Sequence, residues 1–293
     1  MSHLLMAHIA VFFMGMAGVL AGHSGFTPWQ STFYRVFLGT LILMFVWFFM
    51  PAKKKLPWKI GVASCFLGAL LGFHWFAFFK SIELLGVTLG SALIGTEPII
   101  VAICALFLLK EKLSNKIMVA MLVSTLGFFL LLLNSEINSS GIFEGCLWAI
   151  GAYCLFGLLV VANRKLVRSH SPILITALEM AGAIPIALLF AEVNLVPDRV
   201  ESWMFALGLG VLCTGLAYYL YNSSMKKLPA NIAGALLALE VAYGMAAGWL
   251  LGDSLSLIQA GAALLIANIL FLDLFEYMKK KRVTEDRAKH LSQ

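Results

Sequence analysis

Glu97 and Glu240 stand near the middle of long apolar runs, within IGTEPIIV and LLALEVAY, while Arg35, Glu179 and His74 lie inside others. Carboxylates, a guanidinium and an imidazole can bind a cation, bind an anion or pass a proton. A charge at the centre of a lipid-embedded helix costs about 2.5–3.5 kcal/mol, so such groups face a protein interior or a cavity. A structural reading stands beside each functional one. Glu97 and Glu240 can be protonated carboxyls bonded to a neighbouring helix, or can cap a local break at Pro98. Arg35 and Glu179 can snorkel to an interface, or hold one conformational state by pairing. His74-Trp75 and Tyr218-Tyr219 add aromatic rings that suit a cation or a flat ligand, and suit packing or an interfacial belt equally. His74 can shuttle protons near neutral pH or be a satisfied hydrogen-bonding partner.

The elements that must position these groups follow from composition. The chain has 293 residues, 61% hydrophobic and 12% charged, with mean hydropathy +0.93. A soluble globular protein is about 45–50% apolar and about 25% charged. So few polar side chains cannot cover a water-soluble fold of this size; lipid is the solvent that fits. A membrane helix needs roughly 20 apolar residues, and the apolar runs place ten spans at 4–22, 30–50, 58–79, 87–109, 115–134, 141–163, 172–192, 202–225, 230–251 and 255–276. The breaks carry turn and charge signals: Pro51 to Pro57 around Lys53-Lys54-Lys55, the polar 134–140, and Val196-Pro197-Asp198. Cys65, Cys104, Cys146, Cys154 and Cys213 all fall in apolar runs without a C-x-x-C pair and read as small core residues. Met1-Ser2-His3 lacks a basic segment and no A-x-A-like site follows, so the first run reads as a retained span.

Charge sets the orientation. With the N-terminus in the cytoplasm and ten alternating spans, 18 of the 21 Lys and Arg fall in cytoplasmic segments, Lys80 and Arg199 fall opposite, and Arg35 is inside a span. That is the positive-inside asymmetry. It predicts an inner-membrane, multi-pass protein with both termini cytoplasmic, and explains the net charge of +6 by the anionic leaflet, without nucleic acid.

The halves resemble each other. At an offset of 143, Ser81, Leu85, Ala92, Leu93 and Glu97 meet Ser224, Leu228, Ala235, Leu236 and Glu240. After a one-residue gap, Glu111-Lys112-Leu113-Ser114 meets Asp253-Ser254-Leu255-Ser256. Each half holds five spans, an odd number, so the second copy enters the membrane inverted, as in many secondary transporters. The expected fold is therefore all-α, with repeats at 1–139 and 140–277 and a basic cytoplasmic tail at 278–293. Glycines four apart (Gly18/Gly22, Gly68/Gly72, Gly86/Gly90, Gly244/Gly248/Gly252) read as close helix contacts.

These motifs, in this order, resemble the EamA-type branch of the drug/metabolite transporter superfamily. The resemblance covers the whole chain. It rests on Phe33-Tyr34-Arg35, Glu97-Pro98, Lys110-Glu111-Lys112-Leu113-Ser114, Gly127, Ala152-Tyr153 with Arg164-Lys165, Leu239-Glu240-Val241, Gly252-Asp253-Ser254-Leu255-Ser256, Gln259 and Gly261. Met14-Gly15 stands where Trp-Gly is usual, Asp253 where Glu is usual and Val241 where Pro is frequent. These departures bear on the substrate rather than the fold. The resemblance implies ten helices in two inverted repeats and transport of a small polar metabolite such as an amino acid, commonly outward.

The expected function is alternating-access secondary transport, with Glu97, Glu240, His74, Trp75, Tyr218, Arg35 and Glu179 as substrate-binding or coupling residues. An uptake carrier for a cationic or aromatic compound is the alternative within that class. An intramembrane lipid-modifying enzyme would want H-E-x-x-H, G-x-S-x-G or paired Asp, and the chain has none of them; a sensor or scaffold would want a soluble output domain. The expectation is a non-enzyme without cofactor or metal. Its partners are the substrate, the bilayer and, as the coupling ion, protons; a homodimer stays open. No G-x-x-x-x-G-K-[ST] is present, so the drive is a gradient, of protons or of the substrate itself.

Overall fold

A computed structural model describes residues 2–51, 55–133, 141–189, 196, 199–252 and 254–269, the side chains at 87–92 and 95 excepted. Lys53-Lys54, the 134–140 break, Pro197-Asp198, Asp253 and the 278–293 tail lie outside the described residues. Among the described residues there is helix and no strand. Eight helices are long and apolar enough to cross a membrane: α1 (His3–Ser24), α2 (Pro28–Phe49), α3 (Trp58–Gly86), α5 (Asn115–Leu133), α6 (Ile142–Val167), α7 (Pro172–Leu189), α8 (Val200–Ser224) and α9 (Ala230–Leu250). Two apolar helices are shorter, α4 (Glu97–Leu109) and α10 (Leu257–Ile266).

Local chemistry sets these boundaries. Thr27 caps α2 in a reciprocal capping box with Gln30, with Pro28 in the first turn, where its missing N–H costs nothing. Ser256 and Gln259 form the same box at the start of α10. Gly25 ends α1 with φ 73°. Gly86 ends α3 with φ 79°, and no heavy atom stands within 4 Å of where its Cβ would be. Gly86 is thus a turn residue, not the close-packing glycine the four-residue spacing suggested. The span expected at 87–109 is not one continuous helix. Residues 87–92 are helical, Leu93–Thr96 tightens to a 3-10 turn, and α4 starts afresh at Glu97.

Large apolar side chains such as Phe48, Phe66, Phe107 and Leu264 lie more than 60% exposed around the bundle, an outer surface suited to hydrocarbon. Inside, α3 packs on α6 and α7 while α8 packs on α1 and α2, and α4 packs on α6 while α1 packs on α9. Three further contacts pair α2 with α7, α4 with α9 and α5 with α10. Small residues make this packing possible. A Cβ on Gly68 of α3 would lie 2.0 Å from the Glu179 carbonyl oxygen of α7, and one on Gly182 would lie 2.1 Å from that of Cys65. Here the spacing argument holds, and backbone meets backbone.

Candidate functional site

The two midspan carboxylates follow equivalent tightened turns. Glu97 opens the α-helical part of α4, directly after the 3-10 turn. A helix start offers unpaired N–H groups and a positive dipole end, both favourable to a carboxylate. α9 keeps helical backbone through Ala238 (φ −54°, ψ −29°), where the winding tightens and the Ala238 N–H donates to the Ala235 carbonyl, and Glu240 follows two residues later. Irregular backbone at membrane depth is tolerated where it lines a cavity, and both residues line the same one.

That cavity has a volume of about 140 Å³. Arg35, His74, Trp75 and Tyr218 also line it. Arg35, 3% exposed, points into the bundle rather than snorkelling. Its Nε donates to Thr214 Oγ1 at 2.9 Å, and its guanidinium carbon lies 4.5 Å from the centroid of Trp75 and 5.6 Å from that of Phe79. Trp75 Nε1 donates to the Tyr218 hydroxyl at 3.0 Å, with the rings edge to face. His74 bonds through Nδ1 to the Ala152 carbonyl at 2.8 Å and stacks on Phe156. A carbonyl only accepts, so Nδ1 carries the hydrogen and a neutral His74 keeps Nε2 as an acceptor.

Six of the seven residues singled out from the sequence thus converge on one cavity. Glu179 does not line it. It is fully buried between α7 and α8, where Asn222 Nδ2 donates to its Oε2 at 3.3 Å and to Thr176 Oγ1 at 2.9 Å. Sequence reasoning missed Thr214 and Phe156. The run of glycines around Thr214, in GLGVLCTGL, was the available signal for the first.

Toward the α9–α10 connection the cavity lining includes Ser254 and Leu255, both exposed, so the cavity reaches the protein surface there. Outside the cavity lining, at the α4–α5 and α8–α9 connections, polar side chains tie four elements together. Glu111 Oε1 stands 3.5 Å from Arg164 Nε, and Glu111 Oε2 accepts the Asn231 N–H at 3.2 Å. Asn231 Nδ2 donates to the Lys112 carbonyl at 2.9 Å, and Arg164 Nη1 donates to the Met225 carbonyl. Among the described residues no group of three or more His, Cys, Asp or Glu is placed to hold a metal ion.

Comparison with known proteins agrees with this architecture. A solved structure superposes with TM-score 0.75 at 18% identity, covering 91% of this chain and 94% of that one, which is a likeness of fold. The transporter YxxF of Bacillus subtilis is 25% identical over 247 residues, 81% of this chain and 78% of the relative. The threonine/homoserine exporter RhtA of Escherichia coli K12 is 27% identical over 235 residues, 78% of this chain and 75% of the relative. The family model for EamA-like transporters matches residues 1–133 and 143–272 and so takes in both tightened turns, both carboxylates and Arg35. A bundle of apolar helices around a polar cavity, with both halves matched to one family model, makes this chain a member of the EamA-like transporter family.

Proposed function

We propose that this chain exports a small ammonium-bearing metabolite of amino-acid type across the cytoplasmic membrane by alternating access, as a carrier and not an enzyme. The observation that carries the reading is the shared cavity, in which Glu97 and Glu240, each just after a tightened turn, stand with Arg35. Two carboxylates and one guanidinium leave one negative charge in excess, in surroundings that tolerate none unpaired. A substrate ammonium or a proton balances it. A zwitterion uses both kinds of partner, the carboxylates for its ammonium and Arg35 for its carboxylate. Protons are then the counter-ion, entering as substrate leaves. At about 30 Å³ per water, the cavity of about 140 Å³ has room for roughly five waters, the scale of a small metabolite rather than a large drug.

The same proposal includes ten helices in two inverted repeats, 1–139 and 140–277, a basic tail at 278–293, and both termini cytoplasmic. Reciprocal packing supports the repeat. If α1–α5 correspond to α6–α10, a two-fold axis turns the α3–α6 contact into α8–α1, α3–α7 into α8–α2 and α4–α6 into α9–α1, all of which occur. It also brings α2 to α7, α4 to α9 and α5 to α10, and those occur as well. Trp75 and Tyr218 stand 143 residues apart and bond to each other, as partners beside such an axis would.

The test is transport by the purified protein in vesicles. Labelled L-threonine or L-homoserine, the substrates in the name of the RhtA relative, should show counterflow, and an imposed pH gradient should drive net movement with equal substrate on both sides. Counterflow without net movement identifies a uniporter. Counterflow of quaternary amines and none of amino acids favours the second reading, a carrier for cationic compounds. The excess negative charge and the Trp75 and Tyr218 rings beside it support that alternative.

A further inference from the structure

Arg35 reaches the cavity from α2, but α8 fixes its direction, and α8 is not a regular helix where it does so. Gly208–Leu216 forms a π-helix of nine residues. Such turns are rare and are frequently found at functional sites. Here the π-turn carries Thr214. Its hydroxyl donates to the carbonyl of Leu209, five residues back, at 2.7 Å, a bond in register with the π-period. With its hydrogen so directed, the oxygen turns lone pairs outward, and one accepts from Arg35 Nε at 2.9 Å. Thr214 is fully buried, so no water substitutes for this bond.

The approach of the two helices is built around this contact. Gly39, one turn beyond Arg35 on α2, faces the π-helix; a Cβ there would lie 3.2 Å from Thr214 Cγ2 and 3.4 Å from the Gly210 carbonyl oxygen. The Trp75 ring, held by Tyr218, covers one face of the guanidinium. A guanidinium carries five donors in a planar fork. With Nε committed to Thr214 and the plane set by Trp75, Nη1 and Nη2 are the donors left to bind a planar acceptor in the cavity that Arg35 lines. The complement of that fork is a carboxylate.

We propose that Thr214 is a positioning residue. Through the π-turn of α8 it aims Arg35, so that the carrier selects substrates bearing a carboxylate over otherwise identical amides. This rests on the transport reading of the cavity, and the experiment separates the two. Thermal stabilisation of the purified full-length protein is measured with glycine and glycinamide and with L-threonine and L-threoninamide, alongside counterflow of labelled L-threonine. The wild type should bind each carboxylate about tenfold more tightly than its amide, the usual scale of a charge-assisted hydrogen bond. Thr214→Val keeps the shape and removes the acceptor. It should reduce that preference to about twofold and raise KM for L-threonine with little change in the maximal rate, and Thr214→Ser should restore both. Gly39→Ala, which crowds Thr214 without touching Arg35, should reproduce the loss and stands in if the valine variant does not fold. Wild-type protein that prefers none of the carboxylates overturns the selection by Arg35. An undiminished preference in Thr214→Val, or in Gly39→Ala where that variant replaces it, overturns the role of Thr214, as does failure of Thr214→Ser to restore it. Selective binding without counterflow leaves this proposal standing and counts against transport of L-threonine alone.

Discussion

The cavity reaches the surface past exposed Ser254 and Leu255, whereas at the connections on the opposite side of the bundle, outside the cavity lining, an ion pair joins Glu111 to Arg164. Corresponding positions in the two halves show how the ends came to differ. At the 143-residue spacing, Arg164 corresponds to Ala21 and Asn231 to Thr88; with the one-residue gap, Glu111 corresponds to Asp253. The acid is kept in both halves and the base only in the second. A carrier with identical ends would rest equally in its two orientations. One that can pair charges at a single end rests closed at that end, and a population shift then has to overcome that pair. In the proposed inverted repeat, the two halves supply the symmetric frame and a few unmatched side chains supply the bias.

The largest effect should come from assigning these ends to the two sides of the membrane. Cysteines at Asn138 and Asp198 should react with an impermeant maleimide on intact cells, and one at Lys54 should not. Equal labelling at Lys54 and Asn138 would remove the cytoplasmic assignment of the latched end and the ten-span topology with it.

Next in size is the latch. Arg164→Glu sets two acids against each other where a partly buried pair stood, a loss of about 3–5 kcal/mol. It should shift the resting population toward the opposite orientation, read as faster alkylation of an engineered cysteine at Ala235. The exchanged pair, Glu111→Arg with Arg164→Glu, should bring the rate back down. If the single reversal leaves the rate unchanged, the ion pair is not what closes that end.

The carboxylates sharpen the comparison from inside the cavity. Glu97→Gln and Glu240→Gln should each lower transport about tenfold or more, while the melting temperature of the purified protein stays within a few degrees. Glutamine keeps the shape and hydrogen bonds and removes the charge and the proton. Undiminished transport at every pH would return that residue to a structural role.

The smallest effect should come from adding the missing base. Ala21→Arg adds the base that the sequence correspondence pairs with Asp253, at a partly buried position, where a new surface ion pair is worth about 0.2–1 kcal/mol at most. Transport should slow by a few-fold at most, and more at low salt than at high salt. A salt-independent change would point to sterics at the α1–α2 turn.

Helix order, the cavity-lining acids and the asymmetry of basic residues were readable because each is a local property. A run of apolar residues needs no partner to declare that it belongs in lipid, and Glu97 and Glu240 stand out in such runs whatever surrounds them. Pro98 hinted at the break in α4; the tightening at Ala238, with no proline beside it, left no such mark. Glu179 shows the limit. It lies in an apolar run as Glu240 does, yet its helix presents it to Asn222 and Thr176 instead of to the cavity.

What the sequence determined by itself, then, is which segments leave water and which charged groups they carry with them, since hydropathy and charge act residue by residue. What only the tertiary structure decided is direction: Arg35 meeting Thr214 across 179 residues, Trp75 meeting Tyr218 across 143, and the π-turn that sets the first of these contacts. Those depend on helix rotation and on approach distances set by glycines such as Gly39, and no local pattern encodes either, because both are properties of two surfaces in contact.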